Sequence, residues 1–172
     1  GDRLFTGALF ALLFVSVGLA PWYGTWAAVL FVGVPAAVVP TVVTRLVPGS
    51  LLGRCTVGAA FMVMSGLYIH QANGMIEFHF PIFALLAVLL YYRDWRPVIV
   101  AAAVIALHHY LFAWLQMQGL PFMAFERGAS FQLATLHAAF VIAEVVMLVI
   151  FTVDMDRSAR RVAVRVREVR RL

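Results

Sequence analysis

The stretch FQLATLHAAFVIAEVVMLVIFTV, residues 131–153, decides the class of fold. It is apolar for long enough to cross the hydrocarbon core of a bilayer, which takes about 20 helical residues. It contains no basic residue other than His137, and Glu144 follows that histidine two helical turns later on the same face. The stretch therefore predicts a transmembrane helix with a polar strip.

Five comparable apolar segments precede this one, and turn-forming residues such as Asn73-Gly74 separate them. The predicted spans cover residues 4–20, 25–47, 51–72, 75–92, 98–116 and 131–153. The 172-residue chain is 64% hydrophobic, whereas a soluble domain is about half apolar. We therefore predict an all-α integral membrane protein with six transmembrane helices. Pro35 and Pro40 predict a kink in the second helix.

Arginine is distributed unevenly between the two ends of the predicted bundle, and this predicts its orientation. Of the six arginines that precede the C-terminal tail, five lie at one end of the bundle, and only Arg127 lies at the other end. The five are Arg3, Arg45, Arg54, Arg93 and Arg96. Seven more follow the last span, from Arg157 onward. The positive-inside rule places both termini in the cytoplasm, as expected in a bacterial inner membrane. The net charge of +5 thus reflects orientation, and we expect no nucleic-acid partner.

The last helix is predicted to continue beyond the membrane, because residues 151–172 contain neither Gly nor Pro. A 4-3-4-3 spacing of apolar residues indicates a coiled-coil seam, formed by Met155, Ala159, Val162, Val166 and Val169. We divide the chain into a transmembrane sensor domain, residues 1–153, and a cytoplasmic signalling helix that begins a stalk, residues 154–172. A homodimer through this helix is the favoured interpretation. The alternative is a basic helix lying on anionic lipid.

All five histidines fall in predicted helices three to six, in the half of the membrane opposite the arginines, and they are His70, His79, His108, His109 and His137. Ionisable residues inside a membrane are costly and therefore indicate function. A single such histidine is more often a hydrogen-bonding group between helices. Five in one layer favour a binding site, because neutral imidazole is a common metal ligand.

Haem b is the favoured cofactor, since two histidines on facing helices are a usual way to hold it. His79 and His137 have nearly equal depths and are the predicted axial pair. His70, His108 and His109 are further candidate ligands, although adjacent His108 and His109 cannot both face one iron. The alternative cofactor is copper or zinc, bound by His79, His137, His70 and His109, since nearby methionines suit copper. Glu77 and Glu144 are candidate partners of the imidazoles; a neutral Glu144 bonded to a backbone carbonyl is the alternative.

Several motifs of helices three to six resemble the N-terminal membrane-sensor region of bacterial methyl-accepting chemotaxis proteins and membrane-bound diguanylate cyclases. The quoted motifs are IHQ at residues 69–71, GMIEFHF at 74–80, YRDWRP at 92–97, AAAVIALHH at 101–109 and HAAF at 137–140. This resemblance covers about residues 50–154 and implies a sensory input module followed by a cytoplasmic output domain. Many relatives carry a second histidine where this chain has Pro81.

The sequence therefore predicts a sensory input domain, itself not an enzyme, that responds to redox state, oxygen or a related stimulus. An electron-transfer cytochrome is the second hypothesis. It usually needs two haems stacked across the membrane, and all histidines here lie in one half. A transporter is the third, although the second helix carries no membrane-embedded charge.

Overall fold

The computed structural model describes residues 2–169, and within this range it is built from helices without a strand. Six helices follow one another, and short turns join all but the last pair. Their bounds are α1 (Asp2–Tyr23), α2 (Trp26–Leu46), α3 (Leu51–Gln71), α4 (Ile76–Tyr92), α5 (Trp95–Met117) and α6 (Phe131–Val169). Gly1 and residues 170–172, the ends of the two predicted domains, lie outside the described residues.

Helix α3 is the centre of the bundle, and it packs most extensively against α5 and also against α1 and α2. Ser50 caps its start, since the Ser50 hydroxyl accepts a hydrogen bond from the Gly53 amide at 3.0 Å. Near its other end, the buried Gln71 amide donates to the Ser16 carbonyl and to the Thr25 hydroxyl, both at 3.0 Å. This buried polar network fixes α1 and α2 against α3.

Helix α2 contains one turn of π-helix, Val29–Gly33, which ends two residues before Pro35. Proline has no amide hydrogen and crowds the carbonyl four residues earlier, which disturbs the α-helical hydrogen bonding of the preceding turn. The wider π-turn is one of the known responses to such a defect.

Helix α4 is shorter than the others and has 3₁₀ turns at both ends, Ile76–His79 and Leu89–Tyr92. A 3₁₀ turn rises about 2.0 Å per residue, so α4 reaches roughly 30 Å, close to the thickness of a bilayer core. The chain enters α4 after the last turn of α3 and leaves it at Asp94. The Arg54 guanidinium, in the first turn of α3, lies 3.1 Å from the Asp94 carboxylate. Helix α4 therefore runs antiparallel to α3 along nearly its whole length.

Five of the helices in the described range are long and apolar enough to cross a membrane, and α4 is a shorter apolar helix. Large apolar side chains are exposed along them, for example Phe14 and Phe31, each at least 75% exposed. A surface of this kind is compatible with a membrane protein. The number of crossings and the position of the termini stay predictions.

Helix α6 continues without a break far beyond residue 153, as predicted. The predicted seam residues Met155, Val162 and Val166 are exposed on the single chain, between 38% and 61%. The side chain of Val169 lies outside the described residues. The coiled coil and the homodimer therefore stay predictions.

Candidate functional site

Three of the five histidines meet in the interior of the bundle, each from a different helix. His79 comes from the start of α4, His109 from α5 and His137 from α6. The ring centres of His79 and His109 are 5.3 Å apart, those of His79 and His137 are 5.3 Å apart, and those of His109 and His137 are 5.9 Å apart. We call these residues the histidine triangle. The predicted pair His79 and His137 is thus brought together, with His109 as a third member.

Each histidine of the triangle has its Nδ1 atom placed on the backbone carbonyl four residues earlier. The distances are 3.1 Å from His79 to Met75, 3.0 Å from His109 to Ile105 and 2.9 Å from His137 to Leu133. A carbonyl can only accept, so Nδ1 carries the hydrogen, and the neutral ring keeps a lone pair on Nε2. This tautomer is the one that a metal ion or a hydrogen-bond donor requires.

The Nε2 atoms of His79 and His109 are buried and have no hydrogen-bond partner among the described residues. Both side chains are at least 95% buried. A buried acceptor without a partner is costly, so it calls for a ligand or an ordered water. The three rings line one small cavity of about 40 Å³, together with Ile82, Phe83, Phe140 and Val141. A cavity of this size accommodates a single ion or a water molecule.

The triangle is not a ready-made metal centre. In residues 2–169 no group of three or more His, Cys, Asp or Glu side chains already has metal-binding geometry. The separation of the rings is nevertheless suitable. An ion bound about 2.0 Å from each Nε2 would lie about 3 Å from each ring centre, so the ring centres would be roughly 5 Å from one another. The observed separations are 5.3–5.9 Å. The rings therefore have the right spacing for a common ion, and rotation would be needed to direct their lone pairs at it.

Phe125, from the loop between α5 and α6, covers the triangle. Its ring centre lies 6.3 Å from that of His79, 5.8 Å from that of His109 and 5.1 Å from that of His137. The Gln116 side chain holds this residue, since its amide donates to the Phe125 carbonyl at 2.6 Å and its oxygen accepts from the Phe125 amide at 3.2 Å. Phe125 thus separates the triangle from the solvent at that end of the bundle.

Gly74 provides the space for this loop. Its φ of +82° is unfavourable for residues with a side chain, and a Cβ atom there would lie 2.5 Å from the Phe125 carbonyl carbon. Sequence patterns marked Gly74 as a turn residue and as part of the GMIEFHF motif, but they indicated no role for Gln116 or Phe125. Nothing in the local pattern marks these two, because their role depends on a loop folding back across three helices.

His70 and His108 lie outside the triangle. The His70 Nδ1 accepts a hydrogen bond from the Met123 amide at 3.3 Å, so His70 anchors the loop. His108 packs on Phe112, with ring centres 4.1 Å apart, and faces Gly66 of α3, where a Cβ atom would lie 2.8 Å from its ring. Adjacent His108 and His109 thus diverge, as their helical spacing predicts.

Among the described residues, neither acidic candidate forms a hydrogen bond with a histidine ring nitrogen. Glu77 is exposed. Glu144 is partly buried on α6, and its Oε2 atom has no partner among the described residues. The tautomers of the triangle are set by backbone carbonyls, without help from a carboxylate.

A second, larger cavity of about 320 Å³ lies between α5 and α6 and begins at the triangle. His109 and His137 stand at one end, and the remaining lining is apolar, with four alanines. This cavity, which we call the α5/α6 groove, offers room for a flat apolar group.

Comparisons with known proteins add no relative: no protein-family model, no curated protein and no solved structure matches this chain. The resemblance to bacterial membrane sensors stays a prediction.

Proposed function

We propose that this chain is the membrane-embedded sensory input module of a bacterial signalling protein, and that the histidine triangle binds a copper ion. The observation that carries the proposal is the arrangement of three imidazoles around one small cavity, each with Nδ1 on a backbone carbonyl. The buried Nε2 atoms of His79 and His109 have no hydrogen-bond partner among the described residues. Histidines held in this way are typical of metal ligands, whose second nitrogen is fixed by a carbonyl or carboxylate.

The charge of the surroundings favours Cu(I) over Zn²⁺. No carboxylate lines the small cavity, and its other lining residues are apolar. Three neutral imidazoles leave the full charge of the ion uncompensated, and an uncompensated charge in an apolar site is costly. A monovalent ion lowers this cost, and imidazole suits copper well.

A haem with His79 and His137 as its two axial ligands agrees less well with the arrangement. A haem held by both residues would have to fit between their two rings. The His109 ring centre lies 5.3 Å from that of His79 and 5.9 Å from that of His137, so His109 borders this space. The α5/α6 groove is the observation that favours haem as the second candidate, held there by His109 or His137.

The proposed topology has six membrane crossings and both termini in the cytoplasm. The antiparallel course of α4 along α3 supports six crossings, because a membrane crossed by α3 is then crossed again by α4. The triangle lies at the end of the bundle away from Arg54 and Asp94, hence in the outer half. His137 lies on α6, so a change at the ion is transmitted along the one helix that continues to the proposed output domain.

The test is metal binding by the full chain in detergent, with elemental analysis after loading with Cu(I), with Zn²⁺ or with haem, followed by removal of unbound ligand. We expect one copper per chain and a colourless protein. His79→Ala, His109→Ala and His137→Ala should each lower copper affinity at least tenfold. His70→Ala is the matched control and should bind copper as the unmodified chain does.

Two outcomes contradict the copper site. The first is a reduced haem spectrum that persists through purification and is abolished by His109→Ala or His137→Ala. This result would assign haem, rather than copper, to the site. The second is equal copper binding by the unmodified chain, by His70→Ala and by all three triangle variants. This result would show that the triangle is not the copper site.

A further inference from the structure

A second polar site lies at the opposite end of the bundle, where α6 passes the turn between α4 and α5. An open cavity of about 460 Å³ is formed there, and its lining includes five arginines: Arg54, Arg93, Arg96, Arg157 and Arg160. Two carboxylates, Asp94 and Asp156, also line it. Five arginines and two carboxylates give the cavity a formal net charge of +3. We call this cavity the arginine pocket.

The carboxylates in the pocket are already paired. Asp94 accepts from the Arg96 Nε at 2.9 Å and lies 3.1 Å from the Arg54 guanidinium. Asp156 pairs with Arg160 at 2.9 Å, one turn along α6. Among the side chains that the structure describes, neither Arg93 nor Arg157 has a carboxylate within salt-bridge distance. Two guanidinium groups on different elements are therefore free to bind an external anion.

The backbone at Arg93 has an unusual conformation, with φ +52° and ψ +35°. A left-handed conformation is costly for a residue with a side chain, and residues of this kind concentrate at functional sites. The turn directs the chain from α4 into α5, whose first turn Asp94 caps by accepting from the Arg96 amide at 3.1 Å. Arg93 thus lies on the turn that leads into the capped start of α5.

We propose that the arginine pocket binds the phosphate headgroup of an anionic phospholipid. Planar guanidinium groups match phosphate oxygens in charge and geometry. The exposed Trp95 indole and Val153 line the same pocket, so it has an apolar side as well as a charged one. Basic pockets between transmembrane helices on the cytoplasmic side are typical sites for anionic lipid headgroups. The bound phosphate bridges Arg93, on the turn, and Arg157, on α6.

The experiment measures lipid binding to the purified full chain by native mass spectrometry. The protein in detergent is titrated with phosphatidylglycerol or with phosphatidylcholine. We expect one phosphatidylglycerol bound per chain in preference to phosphatidylcholine. The double variant Arg93→Gln/Arg157→Gln should weaken this binding about 30-fold, because each arginine removed is expected to cost about 1 kcal/mol of binding free energy. Arg93→Lys/Arg157→Lys keeps the charge and should bind at least fivefold better than the Gln variant.

The matched control is Arg161→Gln/Arg165→Gln, which removes the same charge from exposed positions of α6 outside the pocket. It should bind within twofold of the unmodified chain. An equal loss in this control would overturn the proposal, because the attraction would then be that of a basic helix in general. Equal binding of both lipids would also overturn it. Displacement of the lipid by millimolar inorganic phosphate would assign the pocket to a soluble anion instead.

Discussion

At the scale of single residues, the position of each histidine on its helix determines its chemistry. A histidine whose Nδ1 reaches the carbonyl four residues earlier presents Nε2 outward, and all three members of the triangle follow this rule. His70 departs from it, because its Nδ1 accepts a hydrogen bond from the loop. The tautomer, and with it the capacity to bind an ion, therefore follows from local geometry.

Gly74→Ala tests the support of the Phe125 loop. The new Cβ would contact the backbone of Phe125 and Glu126, and the left-handed backbone adds strain. We expect a loss of about 2–3 kcal/mol in stability and weaker copper binding, measured by thermal unfolding and by metal affinity. Gly119→Ala is the control, since Gly119 also has a positive φ but has open space around it. Equal losses of stability in both variants would mean that backbone strain at the left-handed glycine, and not the contact with Phe125, causes the effect.

Asp94→Asn tests the ion pairs at the turn between α4 and α5. Burial opposes the charge of Asp94, but hydrogen bonds from Arg96 and the nearby Arg54 charge outweigh it and lower the pKa of the carboxyl. A lowered pKa stabilises the fold above the unfolded-state pKa, about 4, and this contribution is lost as the pH falls through the folded-state pKa. The variant should lose about 2 kcal/mol at pH 7, since hydrogen bonds to charged groups contribute about that much.

The measurement is the melting temperature of Asp94→Asn and of the unmodified chain between pH 7 and pH 3. The difference between them should shrink toward the acidic end. Asp156→Asn removes an exposed pair one helical turn apart and should change stability little. A constant difference across this pH range would contradict the assigned role of the Asp94 charge.

At the scale of the helix, α6 is the element that joins the histidine triangle to the arginine pocket. It carries His137 near its start and the arginine pocket residues Asp156 and Arg157 beyond its middle. In the proposed function, this continuous helix transmits rotation or displacement between these sites. Met155, Val162 and Val166 of the predicted seam are exposed on the single chain, and the prediction is that two chains pair through this seam.

The coiled-coil register is tested with single cysteines in a Cys55→Ser background. Val162→Cys lies on the seam, and Val164→Cys lies two residues away, on another face. In a parallel dimer, oxidation should cross-link Val162→Cys at least fivefold faster, measured by non-reducing gel electrophoresis of membranes. Both side chains are more than half exposed on the single chain, so access is comparable. Equal rates would contradict the predicted seam.

At the scale of the whole molecule, the two polar sites occupy opposite ends of one bundle. The triangle lies beneath the Phe125 loop, and the arginine pocket surrounds the turn after α4. Helix α3 forms the centre, with α1, α2, α4 and α5 packed against it, whereas α6 packs mainly against α5. Gln71 holds α1 and α2 against α3. The bundle thus keeps the histidine triangle apart from a strongly positive cavity.

The orientation of the bundle is tested by labelling introduced cysteines with a membrane-impermeant maleimide, again in a Cys55→Ser background. Gln118→Cys, before the loop, should be labelled from outside intact cells whose outer membrane has been permeabilised. Ala163→Cys, on the stalk, should be labelled only after lysis. Both positions are exposed in the structure. Labelling of both positions in the unlysed cells, or the opposite pattern, would contradict the proposed topology.

The sequence by itself determined the helical elements, because apolar runs of membrane length and the turns between them are local properties. It also marked all three histidines of the triangle as candidate ligands. The lack of Gly and Pro after residue 151 predicted that α6 continues. Only the tertiary structure decided that His109 joins His79 and His137 while His108 faces Gly66, because that choice depends on how α5 rotates against α3. The roles of Gln116 and Phe125, and the gathering of Arg93 with Arg157, come from chain segments distant in sequence, whose packing no local pattern records.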